Sequence, residues 1–196
     1  MKLLITGFEP FGGSSINAAW SAVDSLPERI GAWELHKLQL PTVFGTAAQR
    51  VLAAAEELRP DAVLCVGQAG GRGGVTPEMA ALNLRFARIP DNAGQSPMDE
   101  PVIPGGPAAY FATLPTRVMT NAIQAAGLPA AVSYSAGVFV CNDLFYSLLH
   151  HFRDTPTRVG FIHVPFLPQQ GEPSLPLKDT SAALVAAILA LDIRAG

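Results

Sequence analysis

The chain has 196 residues, of which 49% are hydrophobic and 15% charged, and a formal net charge of −3. That length suits one good-sized domain, residues 1–196, and is short for two; the apolar content excludes a disordered chain. No run of Lys or Arg occurs, which excludes the electrostatic footprint of a nucleic-acid binder, and the small acidic excess specifies no partner.

In chain order, the opening apolar run stops at Gly7, with Glu9 and Pro10 close behind. It lacks the roughly 7–15-residue apolar core and cleavage site of a secretory signal, and Lys2–Thr6 reads instead as a buried strand. A Gly- and Ser-rich loop leads into a helix expected over Asn17–Leu26, followed by a strand over Glu34–Leu40. Thr46–Arg59, rich in Ala, Leu and Glu and stopped by Pro60, predicts a helix. Asp61–Gly67 is a second continuous apolar strand, and Met79–Phe86 a further strand outside the main order. Residues 87–109 are rich in Pro and Gly and have no period, which suits a functional loop or lid. Pro115–Ala126 predicts a helix ending at Gly127. A strand over Ala130–Ser135, a helix over Val138–Phe152, a strand over Arg158–Val164 and a helix over Thr180–Leu191 complete the series. The apolar stretch Ala182–Leu191 is far short of the ~20 residues a membrane helix needs. No membrane partner is expected, and the expected compartment is the cytoplasm.

Such alternation predicts an α/β domain with a mostly parallel sheet and helices on both faces. Ligands of open α/β sheets bind beyond the carboxyl ends of the strands, which directs attention to Gly7–Gly13, Gly67–Gly74, Ser135–Asn142 and His163–Pro168.

Two cysteines, Cys65 and Cys141, make no disulfide framework. Cys141 falls where a strand turns into a helix. There the helix dipole and unpaired N–H groups would favour a thiolate and could stabilise an oxyanion; the alternative is a cysteine packed inertly under the helix. Cys65 lies in an unbroken apolar run and reads as structural. His163, at a strand's carboxyl end, has an imidazole suited to take a thiol proton, or is a hydrogen-bonded structural histidine. His150 and His151 read as helix-end residues and His36 as a surface residue. Glu78, just beyond the glycine-rich stretch, could orient a histidine or sit on the surface. That stretch has neither the Lys-Ser/Thr ending of a P-loop nor the G-x-G-x-x-G order of a dinucleotide site. No metal-ligand spacing is present, so neither metal nor cofactor is expected.

Taken together, Thr-Gly-Phe-Glu-Pro-Phe-Gly-Gly (6–13), Gly-Gln-Ala-Gly-Gly-Arg (67–72), Ala-Arg-Ile-Pro-Asp-Asn-Ala-Gly (87–94), Gly-Pro-Ala-Ala-Tyr-Phe-Ala-Thr-Leu-Pro (106–115), Phe-Val-Cys-Asn (139–142) and Phe-Ile-His-Val-Pro-Phe-Leu-Pro (161–168) resemble the pyrrolidone-carboxylate peptidases, also called pyroglutamyl peptidase I. The resemblance runs from about residue 3 to 170. It implies an α/β/α sandwich like that of the nucleoside phosphorylases, a homotetramer, and a cytosolic cysteine peptidase acting on peptides with N-terminal pyroglutamate. It further implies a triad of Cys141, His163 and Glu78. Phe8 and Phe11 match the family's aromatic pocket walls, and Phe139 and Val140 the residues before the nucleophile. Asn17, Thr42, Gln68, Arg88 and Ile89 match positions in or around the site. Either Arg88 or the Cys141 N–H would serve the oxyanion. A phosphorylase-like nucleoside enzyme on the same fold, suggested by the glycine-rich loops, is the competing expectation.

Overall fold

A computed structural model describes residues 1–192; the expected domain end at residue 196 lies outside the described residues. The elements are β1 (Lys2–Phe8), α1 (Ala18–Asp24), β2 (Arg29–Ile30), β3 (Trp33–Leu40), α2 (Thr46–Leu58), β4 (Ala62–Gln68), β5 (Thr76–Pro77), β6 (Ala80–Leu82), β7 (Ala109–Phe111), α3 (Thr116–Ala125), α4 (Val140–Phe152), β8 (Arg158–Val164) and α5 (Leu177–Leu189). Single 3₁₀ turns lie at Pro168–Gln170 and Ala190–Asp192.

The main sheet has the order β2-β3-β1-β4-β8-β5. β3, β1, β4 and β8 are parallel, with antiparallel β2 and β5 at the edges. β6 and β7 pair separately. The parallel strands are covered on both faces, which is why β1, β4 and β8 read as unbroken apolar runs rather than alternating ones. Alternate residues feed two cores. Leu3, Ile5, Leu64 and Val66 pack with residues of α1, α3 and α5, whereas Leu4, Val63, Cys65 and Phe161 pack with residues of α2 and α4. The result is the expected α/β/α sandwich with a mostly parallel sheet.

One expected strand is not formed. Residues 130–135 make only two isolated parallel bridges, Val75 to Ala130 and Glu78 to Ser133. The hydrogen bonds explain the gap. Val75 N donates to Pro129 O, Ala131 N to Val75 O, Ser133 N to Pro77 O and Met79 N to Ser133 O. The missing rung is the one Pro77 would donate, and proline has no N–H to give. Expected strand Met79–Phe86 shrinks to β6, because Asn83 turns away to hold residues 103 and 106. Nor is the segment 87–109 a free lid. The buried Asp91 carboxylate accepts from the backbone N–H groups of Phe44, Ala93 and Gln95, which pins its first turn.

Candidate active site

Cys141 is the second residue of α4, whose N-cap, Phe139, offers no capping side chain. Gly137, at φ +81, supplies the left-handed turn that delivers the chain to the helix. The first turn of α4 is held from both sides. Asn142 accepts from Leu82 N at 2.8 Å and donates to Leu82 O and Leu84 O, both at 2.9 Å. The fully buried Asp143 accepts from Arg85 Nε at 2.5 Å and Gly45 N at 2.8 Å. These side chains fix the helix start, and with it the sulfur, against the sheet.

The sulfur lies over β4 at Gly67: an ideal Cβ built on Gly67 would stand 2.9 Å from Cys141 Sγ. Gly67 is the parallel register partner of His163 on β8. Neighbouring strands run about 4.8 Å apart and in-register side chains share a face, so thiol and imidazole meet on the α4 side of the sheet. Among the described residues no hydrogen bond joins them, but both line one cavity of about 410 Å³.

Glu78 is brought to His163 by the sheet edge. Thr76 of β5 is in register with His163, and Glu78 N donates to Phe161 O at 2.9 Å. The His163 Nδ1–Glu78 Oε1 distance is 2.7 Å. Arg72 Nη1 donates to the same Oε1 at 2.7 Å and also hydrogen-bonds the Thr76 hydroxyl. Burial by itself would raise the Glu78 carboxyl, but the His163 hydrogen bond and charge, with Arg72, hold it below its ordinary value. An ionised Glu78 can only accept, so Nδ1 carries the imidazole proton and Nε2 is left with its lone pair. Burial lowers the His163 pKa, Glu78 opposes this, and the Arg72 charge adds to the lowering.

The thiol departs from the sequence expectation. Burial pushes Cys141 up to about 12, and the charge of Glu78 adds to it, outweighing Arg72 and the backbone N–H at the helix start. Desolvation therefore exceeds the helix-end effect, and the two shifts favour a neutral thiol beside a neutral imidazole. Cys65 is fully buried and is likewise raised to about 12 by burial, as an inert core thiol should be.

Of the expected pocket residues, Phe11, Gln68, Arg88, Ile89 and Phe139 line the cavity. Phe8 and Val140 do not; both are buried in the core behind it. Asn17 caps α1 through Ala19 N and donates to Glu9 O, and Thr42 also donates to Glu9 O, so these two shape the first loop from behind. Phe86, Ala136 and Val138 line the cavity without having been singled out from the sequence. Arg72 was also missed as a partner of Glu78. Its signal was only its place in the glycine-rich stretch. Those glycines serve close packing: a Cβ on Gly70 would enter the Phe166 ring, and one on Gly74 would meet Pro129 O at 2.7 Å.

A different cavity of about 440 Å³, flanked by Arg59, Asp61 and Thr157, opens at the amino ends of β4 and β8. That is the wrong end for an α/β active site. Among the described residues no group of three or more His, Cys, Asp or Glu could hold a metal ion.

Fold and site together are those of an α/β/α protein with a Cys–His–Glu constellation suited to nucleophilic catalysis. The pyroglutamyl peptidase family model matches residues 1–193. The chain is 52% identical to a pyrrolidone-carboxylate peptidase of Levilactobacillus brevis, over 98% of each chain, and 49% identical to one of Erwinia tasmaniensis, over 98% of this chain and 90% of that one. The structure of pyroglutamyl peptidase I from Bacillus amyloliquefaciens superposes with a TM-score of 0.94 at 44% identity, over 98% of this chain and 97% of the other. A mutant pyrrolidone carboxyl peptidase from Pyrococcus furiosus gives 0.93 at 39% identity, over 97% and 98%. The chain belongs to the pyroglutamyl peptidase family. The competing nucleoside-phosphorylase reading finds no support in these relatives.

Proposed function

We propose that the chain removes the N-terminal pyroglutamyl (5-oxoprolyl) residue from peptides, with Cys141 as nucleophile, His163 as proton carrier and Glu78 as its orienting partner. The observation that carries this reading is the convergence of thiol and imidazole in one cavity, with the imidazole hydrogen-bonded at 2.7 Å to a wholly buried carboxylate.

Each step uses groups on the page. His163 Nε2 takes the thiol proton as Sγ bonds to the pyroglutamyl carbonyl carbon. The resulting oxyanion faces the start of α4, where no side chain caps the first N–H groups; this favours the Cys141 N–H over the solvent-exposed Arg88 as its donor. The intermediate collapses, the C–N bond breaks, and the imidazolium protonates the leaving amine. Water then attacks the thioester while His163 takes its proton. The C–S bond breaks, the thiol is re-protonated, and pyroglutamate leaves.

The cavity suits a neutral lactam. Phe11, Phe86, Phe139, Val138 and Ile89 give apolar walls, and no carboxylate lines it to pair with a free α-ammonium. An ordinary N-terminus would have to bury an unpaired charge, which is costly.

By the same resemblance the chain works in the cytoplasm as a homotetramer; exposed Phe111, Tyr134 and Met98 are apolar surface that such an assembly could cover. No helix among the described residues is long and apolar enough to cross a membrane.

The test is hydrolysis of a pyroglutamyl 4-nitroanilide. Cys141→Ser should abolish release of the chromophore while leaving the circular dichroism spectrum unchanged. Near-normal turnover by that variant would overturn the assignment. Light scattering of the pure protein tests the tetramer.

A further inference from the structure

A second hollow adjoins the first. It holds about 810 Å³ and shares Phe11, Gln68 and Ile89 with the catalytic cavity. Its other walls come from the first loop, including Ser14 and Ser15, and from the turn after β8, including Gln169. None of its lining residues carries a charge.

The shared wall is a built donor rather than a loose side chain. Gln68 Oε1 accepts from Ala18 N at 2.7 Å and from Gln170 Nε2 at 2.8 Å. Gln170 is itself fixed, accepting from Leu167 N at 3.0 Å and donating to Ile16 O at 3.3 Å. With its oxygen saturated by two N–H donors, Gln68 must turn its NH₂ group the other way. Among the described residues that group has no protein partner, and it stands at the junction of the two hollows.

We propose that this trough binds the peptide on the amine side of the scissile bond, the residues that follow pyroglutamate. The inference rests on the peptidase reading above. The aromatic cavity takes the lactam, so the rest of the substrate must leave Cys141 and His163 through a neighbouring opening. The trough begins where that opening must be and has about twice the volume, room for a chain rather than one side chain. Its hydroxyl and carboxamide lining, with a free NH₂ donor at the entrance, fits the carbonyls of an extended backbone. The lack of charge means that it reads backbone and leaves side-chain charge unselected. Gln170 acts here as a positioning residue for Gln68.

The test is the ratio of kcat/KM for two pyroglutamyl tetrapeptides that differ only in Lys or Glu at one position after pyroglutamate, with the pyroglutamyl 4-nitroanilide measured alongside. The wild-type ratio should lie within about threefold of one. Gln169→Glu should move it about fivefold toward Lys, and Gln169→Arg about fivefold toward Glu, the effect of roughly 1 kcal/mol from an exposed pair. Gln49→Glu, an exposed change on α2 outside the trough, should leave the ratio at its wild-type value. Ser15→Trp, at an exposed position with no side-chain hydrogen bond among the described residues, should lower tetrapeptide turnover more than anilide turnover. An enzyme that hydrolyses the anilide but whose Lys/Glu ratio ignores both charges at position 169 overturns the trough and leaves the peptidase reading standing. Failure to hydrolyse the anilide overturns both.

Discussion

Cys141 Sγ fills the space that a side chain on Gly67 would need, the two being separated by only 2.9 Å once a Cβ is built on the glycine. The same Cβ would stand 2.9 Å from the Phe161 ring, so the sulfur cannot simply be pushed aside toward β8. Gly67→Ala should therefore displace the thiol from His163. A misplacement of about 1 Å costs on the order of 10²-fold in rate, while overpacking costs about 1–3 kcal/mol in stability. The check is kcat/KM on the anilide beside a thermal melt. A variant that melts a few degrees lower but keeps wild-type kcat/KM would show that the glycine does not set the sulfur's position.

Arg72 is a positioning residue for Glu78, and its charge lowers the His163 pKa. Arg72→Met should raise that pKa, so the acid limb of kcat/KM should move to higher pH. The plateau should also fall by roughly tenfold, part of what positioned acid–base catalysis contributes. Arg72→Lys keeps the charge and should keep the limb near its wild-type place. A merely structural role would lower the plateau and leave the midpoint where it was.

A neutral resting pair, favoured by both shifts, predicts two pH dependences. His163 is lowered from 6.5, so its base form persists down to below pH 6.5 and the acid limb of kcat/KM should have its midpoint there. Cys141 is raised to about 12, so thiolate is a trace species at neutral pH. Alkylation by iodoacetamide, which needs thiolate, should speed up steadily from pH 7 to 10 without a plateau. A plateau already reached at pH 6–7 would mean a preformed thiolate–imidazolium pair.

The parts of this molecule that could be read from sequence are those set by short-range pattern. β1, β4 and β8 announce themselves as apolar runs because both their faces are covered, and Gly137 followed by an apolar helix start marks the turn that carries Cys141. Residues 130–135 carry the apolar pattern of a strand, but the rung they lack is withheld by Pro77, more than fifty residues earlier in the chain. β5, the two residues that set Glu78 beside His163, is too short for any period to show. The His163–Glu78 hydrogen bond spans 85 positions, so local chemistry could nominate each residue but not join them; only the ordered motifs did. The thiol's charge state went the other way. Its place at a helix start was legible, whereas the burial that outweighs the helix dipole depends on packing against β4 and β8.

The Arg85–Asp143 pair holds the start of α4. Asp143 is wholly buried and Arg85 is about three-quarters covered, with a side-chain exposure of 24%. Breaking a buried pair from one side costs about 3–5 kcal/mol, and the partial exposure of Arg85 places Arg85→Ala at the lower end. Asp143→Ala strands both Arg85 and the Gly45 N–H and should cost more. Urea unfolding of the two variants gives the order, and equal losses would show that the Gly45 contact adds nothing.

Alkaline stability provides an independent measure of the two thiols, Cys65 fully buried and Cys141 half-buried at the cavity wall. Cys65 and Cys141 are each raised from 9.0 to about 12 in the folded chain. Below pH 9 both states keep these protons, so the contribution is fully present. Between pH 9 and 12 the unfolded chain loses them and the folded chain does not, so stability falls as pH rises. Each thiol can steepen the fall by at most about 1.4 kcal/mol per pH unit. Cys65→Ala removes one such proton without touching the active cavity. Its urea-unfolding free energy should be lower than wild type at pH 7, because the methyl fills less of the core, and the gap should narrow between pH 9 and 11. A gap that stays constant across that range would mean that Cys65 ionises equally in both states, contrary to its burial under α4.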